Sequence, residues 1–135
     1  MKFIAEDKEY RLDEDKFDGF FNDEVNPIEN ITEEDILNIL EDRELDFEVA
    51  YYDYQCQECK SRIEGVKKAY KFLEYHFYLY TKNNELIISD LEAEEKEESF
   101  NKLLRAGKVD NSYIVSIIVC AECGVYTIEI EEFEI

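Results

Sequence analysis

All four cysteines of this 135-residue chain fall in two C-x₂-C pairs, Cys56-Gln57-Glu58-Cys59 and Cys120-Ala121-Glu122-Cys123. Two residues between cysteines make a turn tight enough to aim both sulfurs at one ion. Two such turns complete the closed, tetrahedral four-thiolate shell of a structural zinc site. With no cysteine left over, the pattern predicts that Cys56, Cys59, Cys120 and Cys123 hold one Zn²⁺ and so join segments remote in the chain. Gly124 can take the positive φ that commonly follows such a knuckle, whereas Lys60 stands at that place after the first pair. The same residues leave other readings open: two dithiol or disulfide pairs, iron in place of zinc, or no metal. A thioredoxin-type redox motif is disfavoured, because neither pair follows a strand and opens an evident amphipathic helix.

Charge narrows the partners. The formal net charge is −20, and a zinc centre with four thiolates adds about −2 more. Such a field repels nucleic-acid phosphates and anionic membranes and attracts basic surfaces. No direct nucleic-acid or membrane contact is therefore expected, and a basic protein is the expected macromolecular partner. Acidic residues run together over Glu92–Glu98 and Glu129–Glu134, while positive residues concentrate at Lys60, Arg62, Lys67, Lys68 and Lys71. Met1-Lys2-Phe3-Ile4-Ala5 runs at once into Glu6 and Asp7, so no secretion signal is visible. The longest mainly apolar run, Tyr113 to Ala121, is too short to span a bilayer. A cytoplasmic, reducing location follows as the expectation, and it favours metal over disulfide. Much Lys, Ile and Asn with little Gly or Pro hints at an AT-rich bacterial or phage genome.

A hydrophobic fraction of 45 % with 10 Tyr and 9 Phe supplies a core, and four glycines with one proline leave little for flexible linkers. The length fits one domain over residues 1–135. The patterning predicts an α+β fold: an antiparallel sheet, about two helices, and the two knuckles joined by a long insertion.

In chain order, residues 2–5 and 8–12 read as a hairpin turning at Glu6-Asp7. Phe17, Phe20 and Phe21 at i, i+3, i+4 suggest one or two helical turns, against which Gly19 counts. Thr32 is a good N-cap with Asp35 at N3, and Ile31 with Ile36 has staple spacing. A helix is predicted from there to Asp42 or Arg43, burying Ile36, Leu37, Ile39 and Leu40. Residues 46–55 alternate as a strand into the first knuckle. Arg62 to Lys71 reads as a returning strand or a short helix. Leu73 to Tyr80 and Glu85 to Ser89 read as strands joined at Asn83-Asn84. Ser89 or Asp90 caps a second helix running to about Ala106, stopped by Gly107. Tyr113 to Val119 reads as a strand buried on both sides, and Val125 to Ile130 as its return, with Glu131-Glu132 a bulge or the strand end.

The knuckles, the second followed by glycine and flanked by strands, resemble the zinc-ribbon group over residues 47–63 and 113–130. That resemblance implies a fold element and not an activity, and the long insertion departs from ordinary ribbons. The whole chain also resembles a small uncharacterised clostridial family of acidic proteins with two cysteine pairs, which implies no activity either.

No glycine-rich phosphate loop, no nucleophile with a plausible histidine base and no open metal site is present. His76 is the single histidine, so a two-histidine catalytic site is excluded. It reads as partly exposed packing. The expected function is non-enzymatic: an acidic, zinc-stabilised binding or regulatory module, with Tyr52, Tyr54, Tyr78 and Tyr80 as contact residues where exposed. Two alternatives belong to other classes. A nucleic-acid mimic that inhibits a DNA- or RNA-binding protein needs carboxylates arrayed at phosphate-like spacing. A metal-buffering or redox protein needs labile cysteines.

Overall fold

The computed structural model describes residues 1–54, 56, 58 and 69–135. Among them the chain forms β1 (Lys2–Ala5), β2 (Lys8–Arg11), a 3₁₀ turn at Glu14–Lys16, β3 (Phe17–Phe21), α1 (Glu33–Leu40) and β4 (Glu48–Tyr52). There follow β5 (Tyr70–Lys82), β6 (Glu85–Ser89), α2 (Asp90–Glu95), α3 (Phe100–Arg105), β7 (Asn111–Cys120) and β8 (Tyr126–Glu132). The fold is α+β, with mostly antiparallel pairing.

The main sheet has the order β3-β8-β7-β5-β4, with β6 also pairing β5. β4 takes the Tyr70–Glu74 part of β5, and β6 takes Leu79–Lys82. β3 runs parallel to β8; the other pairs are antiparallel. β1 and β2 form a separate hairpin whose turn residues Glu6 and Asp7 both have positive φ, 50° and 64°. Asn83 and Asn84 make the same left-handed turn between β5 and β6, with φ 52° and 64°, using a residue type that tolerates it better than most other non-glycine residues.

One face of the sheet carries the core. Leu73, Phe77 and Leu79 of β5, Tyr113, Val115, Ile117 and Val119 of β7, and Tyr126, Ile128 and Ile130 of β8 are buried there. They pack against Ile36 and Leu40 of α1, Phe3 and Tyr10 of the first hairpin, and Leu12, Ile28 and Leu45. Each such side chain contributes roughly 1.5–3 kcal/mol by leaving water. Among the described residues the opposite face is covered at its two ends. Phe72, Cys56 and Cys120 cluster at one end. Tyr80 and Ile88 pack with Ala93, Leu103 and Val109, from α2, α3 and the chain after them, at the other.

Local signals in α1 act as the sequence predicts. Thr32 Oγ1 accepts from the Asp35 amide at 3.3 Å, and the Asp35 carboxylate accepts from the Thr32 amide at 2.9 Å, a complete capping box. The helix stops at Leu40, earlier than predicted, and Asp42 at φ 61° turns the chain away.

Several expectations are corrected. Phe17, Phe20 and Phe21 lie on β3, not on a helix. A bulge between Phe17 and Gly19 lets Phe17 and Phe20, three residues apart, face the same core and so imitates helical spacing. A Cβ at Gly19 would stand 2.8 Å from Phe21 Cε2, so a side chain there would push the exposed Phe21 ring aside. The helix predicted from Ser89 to Ala106 is two helices. Ser89 caps the first and Ser99 the second, and Glu97 at φ 57° breaks the chain between them. Gly107, at φ 71°, ends α3 as expected. β4 is shorter than 46–55. β7 is fully buried on one side only, Ile114, Ser116 and Ile118 being half-buried. β8 ends at Glu132, without a bulge in its pairing to β7. The Arg62–Lys71 segment lies outside the described residues except for Ala69, Tyr70 and Lys71, the last two being on β5.

Candidate metal centre

The second knuckle is the turn between β7 and β8. Cys120 is the last residue of β7; its amide donates to Val125 O and the Gly124 amide donates to Cys120 O, both at 2.9 Å. Gly124 closes the turn at φ 81°, which a glycine adopts without steric cost. The first pair follows β4 in sequence. Ala50, Phe72 and Cys120 form one rung across β4, β5 and β7, so the ends of β4 and β7 lie on the same side of the sheet, separated by one strand.

That arrangement gathers three sulfurs. The Sγ atoms of Cys56, Cys120 and Cys123 all lie within 4.8 Å of one another, and Cys56 Sγ is 3.7 Å from Cys123 Sγ. A tetrahedral Zn²⁺ with Zn–S bonds of about 2.3 Å sets its sulfurs about 3.8 Å apart. A disulfide requires about 2.05 Å. Cys56 and Cys120 are buried and Cys123 is half-buried. The fourth predicted ligand, Cys59, lies outside the described residues. The donor set is soft and the spacing fits a thiolate-bound metal.

The surroundings of the knuckle were not legible in the sequence. Lys8 Nζ donates to the carbonyls of Ala121 and Glu122, each at 3.1 Å. Tyr10 Oη donates to Ala121 O at 3.0 Å, and Lys16 Nζ donates to Cys123 O at 3.1 Å. The first hairpin and the 3₁₀ turn thus place two ammonium groups against the backbone that carries Cys120 and Cys123. On the strand side the Ala121 amide donates to Lys71 O at 3.3 Å. Lys71 also pairs with Glu6, and that hydrogen bond holds its ammonium above the ordinary lysine pKa. Tyr52, Tyr54 and Phe72 form an aromatic cluster beside Cys56, with centroids 5.1–5.5 Å apart.

The expected contact tyrosines divide. Tyr80 is buried against Phe100 at 5.0 Å, Tyr52 and Tyr78 are half-buried, and Tyr54 is 50 % exposed.

His76 is exposed on the open sheet face, and it has partners that sequence reading missed. Its Nδ1 is 2.9 Å from Ser116 Oγ and its Nε2 is 3.2 Å from Glu74 Oε2. A serine beside a histidine base is thus present, set by the register His76↔Ser116 of β5 on β7. Both residues sit on interior strands whose amides serve the sheet ladders, so those amides are not free to face a developing oxyanion above the sheet. Next to this row, burial raises the Glu129 carboxyl above the ordinary range, with Glu131 and Glu74 adding to the rise.

No helix among the described residues is long and apolar enough to cross a membrane. The fold and the site define an α+β protein with a cysteine cluster compatible with a metal at one end of its main sheet. A family model described as "Protein of unknown function (DUF3785)" matches residues 1–135, and the chain belongs to that family. No curated protein and no solved structure matches it.

Proposed function

We propose that this protein is a non-enzymatic, acidic binding or regulatory module whose sheet end is stapled by one structural Zn²⁺ on Cys56, Cys59, Cys120 and Cys123, in the manner of a zinc ribbon, and whose partner is a basic protein surface. The carrying observation is the sulfur geometry: three Sγ atoms within 4.8 Å of one another, contributed by segments that β5 separates, with Cys56 and Cys123 at 3.7 Å, close to the spacing in a tetrahedral thiolate site. Burial of Cys56 and Cys120 supports a structural site over a labile, buffering one. With four thiolates the shell is closed, so the metal offers no position for a substrate. Two lysines on the knuckle carbonyls offset the surplus negative charge of such a centre.

The partner reading is supported by the −20 charge, which speeds encounter with positive surfaces and opposes nucleic acid. Cobalt substitution tests the site. Co²⁺ added to reduced, metal-free protein is expected to give the intense visible bands of tetrahedral thiolate ligation and a thiolate-to-metal charge-transfer band at one equivalent. Octahedral, weakly coloured Co²⁺ would reject the four-cysteine site.

A further inference from the structure

We infer that the middle of the main sheet, on the face that the described residues leave open, is the surface on which the basic partner docks, an arginine side chain of that partner seating between Glu74 and Glu129. This rests on the reading of the chain as an acidic module for a basic protein, and adds the place and the group recognised.

The strip lies between two walls on the face opposite the core. The cysteine end, with Tyr54 and Phe72, forms one wall, and α2 and α3 over Tyr80 form the other. Across it the register aligns Glu129, Ser116 and His76 in one row and Thr127, Ile118, Glu74 and Glu48 in the next. Glu129 is half-buried. Among the described residues its carboxylate has no hydrogen bond and no ion pair, and the carboxylates of Glu131, two residues along β8, and Glu74, across β7, repel it.

An interior position on a sheet face is an unfavourable place to leave like charges uncompensated. Among the described residues, the one group on the strip that could carry positive charge, His76, is already held between Glu74 and Ser116. A cation from outside would relieve that repulsion, and the complementarity is to positive charge alone. The rims select the kind of cation. Phe21, which pairs with Glu129 in register, is 56 % exposed, and Tyr54 is 50 % exposed. Aromatic faces beside paired carboxylates suit a planar guanidinium, which stacks and hydrogen-bonds in two directions at once, better than an ammonium. The strands here are already paired on both sides, so recognition is by side chains and not by strand addition.

Titration of the full-length, metal-loaded protein with a nona-arginine peptide tests this, followed by amide chemical shifts and by affinity at low and moderate salt. The largest shifts are expected at Glu74, His76, Ser116 and Glu129. Glu74→Gln with Glu129→Gln should weaken binding about tenfold or more. Glu97→Gln with Glu98→Gln removes the same charge elsewhere and should change it less than twofold. Nona-lysine should bind the wild type more weakly than nona-arginine. Equal losses in the two variants, or shifts centred on Glu92–Glu98, overturn the sheet-face assignment while leaving a basic partner in place. Failure of the wild type to bind either peptide at low salt overturns the basic-partner reading itself.

Discussion

Lys16 donates its ammonium to the carbonyl oxygen of Cys123 across 3.1 Å, although 107 residues separate them in the chain. Lys8 does the same for Ala121 and Glu122. These bonds hold the second knuckle from outside and bring positive charge beside its cysteines. Groups around the ligands of a metal site commonly alter its affinity by 10–100-fold. Lys8→Met with Lys16→Met should therefore speed zinc loss to a chromophoric chelator by about tenfold or more, while the arginine double variant should retain most of the wild-type behaviour. Unchanged transfer in the methionine variant would show that the lysines hold only the backbone.

Gly124 and Gly107 separate conformational cost from metal cost. Both have positive φ, 81° and 71°, and a Cβ would meet only Tyr10 Cδ1 at 3.9 Å at Gly124 and nothing within 4 Å at Gly107. Alanine at either position should cost about 1–2 kcal/mol through the backbone. Of the two, Gly124→Ala alone should also weaken metal retention, because its turn carries Cys120 and Cys123 of the proposed site. Equal metal retention in the two variants would detach the turn geometry from the site.

Thr32→Ala removes one half of a capping box whose two bonds measure 3.3 and 2.9 Å. The expected loss is about 1 kcal/mol, seen as a fall of about 3–5 °C in melting temperature. A fall of that size without change in zinc content is the predicted result, since α1 packs on the core face away from the cysteines.

These outcomes bear on what was legible beforehand. Thr32 with Asp35, Ser89, Gly107 and Asn83-Asn84 act within a few residues of themselves, so their roles could be read directly. Phe17 and Phe20 could not, because the bulge that brings them to one face depends on β8. The break at Glu97 was hidden because it uses a non-glycine residue in a left-handed conformation. The cysteine pairs were legible as motifs, and the structure brings Cys56, Cys120 and Cys123 together as expected. The groups around them were not: Lys8, Tyr10 and Lys16 reach the knuckle over more than 100 residues. His76 beside Ser116 likewise follows from strand register alone.

Glu129 gives a pH dependence with a defined sign. Its folded-state pKa is raised above 4.5 by burial, then by Glu131 and Glu74. A raised carboxyl favours the protonated folded state, so this contribution is fully present below the unfolded pKa and is lost as pH rises through the folded value. Glu129→Gln should therefore raise the melting temperature relative to wild type at pH 7 and not at pH 4. An offset that is the same at both values would show that ionisation of Glu129 in the folded state is not the cause.

Metal content is the most direct test of the account. Protein produced without added metal and kept reduced should contain one zinc per chain. Cys56→Ser, Cys59→Ser, Cys120→Ser and Cys123→Ser should each lose or sharply weaken it. Because the proposed metal would staple the sheet end while the core lies on the other face, Cys120→Ser should melt at a clearly lower temperature and still keep α1 in part. Protein with no bound metal, an iron chromophore, or two intrachain disulfides in freshly reduced material would contradict the account, as would a melting curve unchanged in Cys120→Ser.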